Sequence, residues 1–131
     1  RFAVNASGVA LDSNGASAVA VNDVVRIGIL PAGLSIMDAT VAISDAFAAS
    51  TTADIGFAYV DGVDSTDVPQ DADYFFAAQS TATAARARMA TAVAPVRLPK
   101  DAYVNLTRKG AADSAAGVLD LIVSGVQEGS A

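Results

Sequence analysis

The sequence predicts an all-β chain, a single β-sandwich domain with jelly roll as the leading topology. Three observations predict it. Apolar and polar residues alternate with period two over several runs, as half-buried strands require. Of the 14 acidic residues only Glu128 is glutamate; the rest are aspartate, which favours turns and caps over helix interiors. Hydrophobic residues make up 53% of the chain, but aromatics only 6%, and alanine is a large share. The core is therefore thin, which suits two facing sheets better than a multilayer α/β fold.

The central stretch is Asp23 to Asp45. Val25, Ile27 and Ile29 share one face of its first run, and Val24, Arg26, Gly28 and Leu30 the other. In the second run Met37, Ala39, Val41 and Ile43 oppose Asp38, Thr40, Ala42 and Ser44. Pro31 fixes φ and lacks an N–H, and Gly33 tolerates positive φ, so Pro31-Ala32-Gly33 breaks the strand. The flanking runs form either a hairpin or two strands entering different sheets.

The remaining elements are read in order. Residues 1–15 are expected to be an extended N-terminal arm, with residues 16–131 as the sandwich. Asn14-Gly15 signals a turn, and Ala16–Val21 reads as a short strand. Ala53–Val60 is a strand, with Ile55, Phe57 and Tyr59 on one face. Asp61–Asp73 is a long acidic loop, and Asp71–Gln79 is either one or two helical turns or a strand lead-in. Ser80–Ala94 leans to strand through its threonines and Arg86-Ala-Arg88. Pro95 and Pro99 bound the extended piece Val96–Leu98. Ala102–Arg108 alternates Tyr103, Asn105 and Thr107 against Val104, Leu106 and Arg108, and Val118–Val126 is the last strand.

The composition narrows the function. The chain has no histidine, cysteine or tryptophan. Ser–His and Cys–His sites are thereby excluded, as are His or thiolate metal sites and disulfides. A carboxylate pair could still serve a glycosidase, but sugar-stacking aromatics are scarce. No enzymatic role and no cofactor are expected. The acids at 61, 64, 67, 71 and 73 do not have the spacing of an EF-hand calcium loop. The net charge of −6 and the lack of aromatics around Arg86 and Arg88 argue against nucleic acid as a partner. No run reaches the length of a transmembrane helix, and neither a signal peptide nor a membrane partner is expected.

Charge is segregated along the chain. Residues 38–73 carry eight acids and no base, whereas 86–109 carry Arg86, Arg88, Arg97, Lys100, Arg108 and Lys109 with only Asp101. These are either ordinary solvated charges or complementary patches between subunits. Tyr74-Phe75-Phe76 is either core or an interface anchor.

The order of segments resembles a small decoration (cement) protein of a tailed-bacteriophage capsid. Three pieces carry the resemblance: the I-L-P-A-G-L-S-I-M-D-A-T-V-A-I run; Ala53–Val60 with the polar excursion and Tyr74–Ala78; and Lys100–Thr107 with the Gly/Ala-rich loop and Gly117–Val126. Together they span residues 24 to 126. The resemblance implies a jelly roll or related sandwich and a homotrimer on the outer surface of the virion capsid. It also implies the major capsid protein as partner, clamped to its neighbours. Expected interface residues are Arg1, Phe2 and Val4 in the arm, Tyr74, Phe75 and Phe76, and Arg86, Arg88 and Arg97. Rival readings are a receptor- or carbohydrate-binding module and a tail or head–tail connector protein.

Overall fold

A computed structural model describes residues 1–11, 17–90 and 92–127. Its strands are β1 (Phe2–Val4), β2 (Val24–Leu30), β3 (Leu34–Asp45), β4 (Thr52–Tyr59), β5 (Asp71–Ser80), β6 (Ala85–Arg88), β7 (Val96–Arg97), β8 (Ala102–Lys109) and β9 (Gly117–Gln127). One sheet has the order β1-β9-β3-β6, with β7 also pairing β3; the other has β2-β8-β4-β5. Every pairing is antiparallel. The two sheets close face to face as a β-sandwich. Ile36, Ala39, Val41, Ile43 and Leu119 of the first meet Ala53, Ile55, Phe57, Val104 and Leu106 of the second in one apolar core.

The break at Pro31-Ala32-Gly33 sends its flanking strands into different sheets. Gly33 has φ +85°, a conformation that glycine adopts without Cβ strain. Its N–H donates to the Leu98 carbonyl at 2.8 Å, and the Ala32 N–H donates to Asp101 Oδ1 at 2.8 Å. Both bonds tie the crossing to the segment before β8. The stretch is thus a corner of the sandwich rather than a hairpin.

The expected faces fail at two bulges. The β2–β8 register shifts between Arg26 and Gly28, and the β3–β9 register between Ile36 and Asp38. A bulge inserts a residue and reverses the inside–outside phase beyond it. Ile29 is therefore 64% exposed while Leu30 turns inward. Met37 is 56% exposed, and Ile36 is buried in its place ahead of Ala39, Val41 and Ile43.

Other segments also differ from expectation. Residues 17–21 form no strand, and Ala16 and the Asn14-Gly15 turn lie outside the described residues. Val19 bonds to loops instead of to a neighbouring strand: its N–H donates to the Gly8 carbonyl, and its carbonyl accepts from the Asp113 N–H. Asp71–Gln79 is strand, because pairing with β4 and burial of Tyr74–Phe76 outweigh the helix-favouring acids at its start. Among the described residues of Ser80–Ala94, only Ser80, the last residue of β5, and Ala85–Arg88 are strand. Residues 2–4 of the expected arm are β1, paired with Gly117–Leu119 and buried.

Candidate interaction surface

The largest fully buried side chain is that of Arg108. Strict alternation along β8 puts it inside with Ala102, Val104 and Leu106. Its Nε donates to Asp113 Oδ2 at 3.2 Å, and its Nη1 donates to the Thr52 carbonyl at 2.9 Å and to Thr81 Oγ1 at 2.8 Å. Thr81 Oγ1 passes a hydrogen bond to Thr51 Oγ1, which donates to the Ala48 carbonyl. The rings of Phe2 and Phe47 stack 5.4 Å apart, with the guanidinium 5.4 Å and 5.1 Å from their centroids. Burial drives the Asp113 carboxyl above its usual range against the pull of Arg108, and drives the Arg108 guanidinium down. Both side chains are sealed from solvent, so no substrate reaches them. The cluster fastens β1, the 47–52 connection, Thr81 and the loop after β8 to one another.

The charge segregation of the sequence is only partly spatial: Arg88 and Lys100 pair with Asp38 and Asp61, and Arg108 is buried. Arg86 and Arg88 on β6 and Arg97 on β7 all lie exposed beside β3, because both short strands pair with it. Arg88 Nε meets Asp38 Oδ2 at 2.6 Å. Of the acids in residues 38–73, Asp54, Asp71 and Asp73 lie on the other sheet and Asp61, Asp64 and Asp67 in its connection, while Asp38 and Asp45 lie on β3. Asp71 and Asp73 open β5, and the 61–70 loop precedes them. Asp64 Oδ1 accepts from the N–H groups of Ser65 and Gln70, and so folds that loop on itself. The Val63 N–H, which donates to Asp61, and then the bond from Lys100 Nζ hold the Asp61 carboxyl below its usual range. Neighbouring Asp71 pushes Asp73 above its own. Among the described residues no group of acids is arranged to hold a metal ion.

The expected interface residues therefore do not form one surface. Arg86, Arg88 and Arg97 lie along the same edge of β3. Arg1 lies exposed on the far side of the same sheet, where its Nε and Nη2 bond Asp120 at 2.9 and 3.2 Å and lower that carboxyl's pKa. Phe2 and Val4 are core residues. Tyr74, Phe75 and Phe76 are also buried, in an edge-to-face chain running from Phe57 through Tyr74 to Phe75. Within one chain these aromatics are packing, and the Tyr74 hydroxyl is used by the Ala94 carbonyl.

One surface was not anticipated. β1 covers only Gly117–Leu119 of β9, yet β9 runs on to Gln127. Among the described residues no strand pairs the outer edge of Leu121–Gln127. Beneath it the sandwich opens into a cleft of about 270 Å³, lined by Ile27, Leu30, Val104, Leu121 and Val123, with Arg1 at its rim. The run L-I-V-S-G-V-Q carries no charge and no proline, the usual devices that blunt an exposed edge. That absence was readable in the sequence.

Comparison with protein-family models, curated proteins and solved structures gives no match to this chain.

Proposed function

We propose that this chain is a capsid decoration protein of a tailed bacteriophage, which self-associates as a trimer and staples neighbouring major capsid proteins from outside the head. The observation that carries the reading is the resemblance of residues 24–126 to such proteins. It gains support from the strand order. With the two-residue β7 set aside, eight strands run 1-8-3-6 in one sheet and 2-7-4-5 in the other, the order we read as a jelly roll. In that arrangement the I-L-P-A-G-L-S-I run is the corner between the sheets. The mechanism is multivalent attachment. One oligomer touches several shell subunits, and individually weak contacts combine into a tight one.

The exposed arginines of β6 and β7 are the side chains assigned to the shell contact, where charge sets register and encounter rate. Co-sedimentation with bare expanded heads of the parent phage tests the proposal. Saturable binding to expanded heads supports it. A folded protein that stays in the supernatant rejects it.

A further inference from the structure

We propose that the outer edge of β6 receives an extended acidic segment of a partner protein as an added antiparallel strand, with two carboxylates, two residues apart, set opposite Arg86 and Arg88. The proposal rests on the decoration reading only for the source of that segment, which is then a subunit of the shell.

Three observations converge on this edge. The first is where its backbone points. β6 ends one side of its sheet, and among the described residues no strand pairs its outer edge. The Met89 N–H donates to the Ala39 carbonyl at 2.9 Å. Bonded and non-bonded pairs alternate along an antiparallel ladder, and the register sets Val41 opposite Ala87 and Ile43 opposite Ala85. Ala85 and Ala87 therefore bond to β3 as Met89 does. Arg86 and Arg88, opposite Ala42 and Thr40, are the intervening pairs. Their N–H and C=O groups point away from β3, to the outer edge.

The second observation is charge. Arg86 and Arg88 are exposed and share a face by strand periodicity. Among the described residues Arg86 has no acidic partner. Arg88 meets Asp38 through Nε, which leaves its two terminal nitrogens as donors. In an added antiparallel strand the residues opposite the two arginines are themselves two apart, with Cβ atoms ~4.5–5.5 Å from those of the arginines. Carboxylates at those two places accept charge-assisted hydrogen bonds. A basic strand, or β6 of a second copy, meets like charge there and is refused.

The third observation is the inner face. Ala87 is partly buried against the apolar core. The residue between the two acids stands opposite Ala87 and turns to the same side, where an apolar side chain packs beside it. The segment that fits is therefore acid–apolar–acid in extended form. Main-chain bonds give it affinity, and the alternation of its side chains gives specificity.

The test uses peptides and no heads. Acetyl-V-D-V-D-V-amide is titrated into the isotope-labelled protein and followed by NMR. The amide signals of Arg86 and Arg88 are expected to shift most. The isomer V-D-V-V-D has the same charge but puts its carboxylates on opposite faces, and is expected to bind at least ~10-fold more weakly. Methylating the nitrogens of both aspartates removes the N–H groups that face β6 and is expected to cause a similar loss. Methylating the central valine, whose N–H faces away, is expected to have little effect. Arg86→Gln/Arg88→Gln is expected to keep the circular dichroism of the sandwich and to bind V-D-V-D-V at least ~10-fold more weakly. No binding of V-D-V-D-V to the folded protein overturns the proposal, as does equal binding of the two isomers or equal tolerance of the two methylations. A wild-type oligomer that falls apart in Arg86→Gln/Arg88→Gln assigns the edge to a second copy and overturns it too. Heads that fail to bind the protein reject the decoration reading and leave the peptide result standing, so the two failures are distinct.

Discussion

Arg108 and Asp113, five residues apart, form an ion pair in which both side chains are fully buried, with Nε 3.2 Å from Oδ2. Desolvation makes such a pair a weak source of net stability, but removing one partner strands the other charge. Asp113→Ala is expected to cost ~3–5 kcal/mol in urea denaturation. The apolar double variant Arg108→Met/Asp113→Leu is expected to lose less than the single one. A double variant as unstable as Asp113→Ala would mean that the polar links to Thr52 and Thr81 carry the cluster.

Glycines 56 and 28 separate close packing from conformational freedom. A Cβ on Gly56 would lie 2.0 Å from the Asp71 carbonyl oxygen and 2.4 Å from the Ala72 carbonyl carbon, whereas one on Gly28 meets nothing within 4 Å. Gly56→Ala is expected to lower stability at or above the upper end of the ~1–3 kcal/mol typical of overpacking, because backbone cannot swing aside. Gly28→Ala is expected to be near neutral. Thermal unfolding of the two variants checks the contrast.

Asp73 titrates above its ordinary value because of Asp71 beside it. The sign follows from linkage. The folded state binds more protons than the unfolded state between the ordinary and the raised pKa. This pair's contribution to stability therefore improves as pH falls through that window and is lost as pH rises through the folded pKa. Asp71→Asn is expected to return Asp73 towards the ordinary carboxylate range in an NMR titration. The effect on stability is small, since both groups are exposed.

Val41 is 0% exposed and lies between the sheets. Val41→Asp buries an unpaired carboxylate at a cost comparable with the ~5–15 kcal/mol stability of a whole domain, and is expected to leave the protein unfolded by circular dichroism. Arg86→Glu/Arg88→Glu is expected to keep the fold. The Arg88–Asp38 pair is exposed on the Arg88 side, and such pairs are worth at most ~1 kcal/mol. If the chain binds phage heads as proposed, this variant is expected to bind them more weakly and with less salt dependence.

These features were legible in the sequence to different degrees. Period-two alternation located the strands that pair along their length, β3, β4, β8 and β9, because each has one face in the core. It could not reveal the bulges at Ile27–Gly28 and Met37, which arise from how two strands pair and leave no mark in either strand alone. Alternation did set Arg108 with Val104 and Leu106. Its burial became evident only once Asp113, Thr52 and Thr81 were seen converging on it. The 17–21 segment had the composition of a strand, but the structure gives it loop partners at Gly8 and Asp113. The pairing of β1 with Gly117–Leu119 joins distant parts of the chain, and no local pattern encodes it.

The measurement that bears most directly on the proposed function is the heat stability of bare expanded heads of the parent phage, with and without this protein. If the chain is a decoration protein, adding it to saturation raises the temperature at which the heads disrupt. Arg86→Glu/Arg88→Glu, folded but weakly bound, raises it less. Heads that disrupt at the same temperature whether or not the folded protein is present would contradict the account.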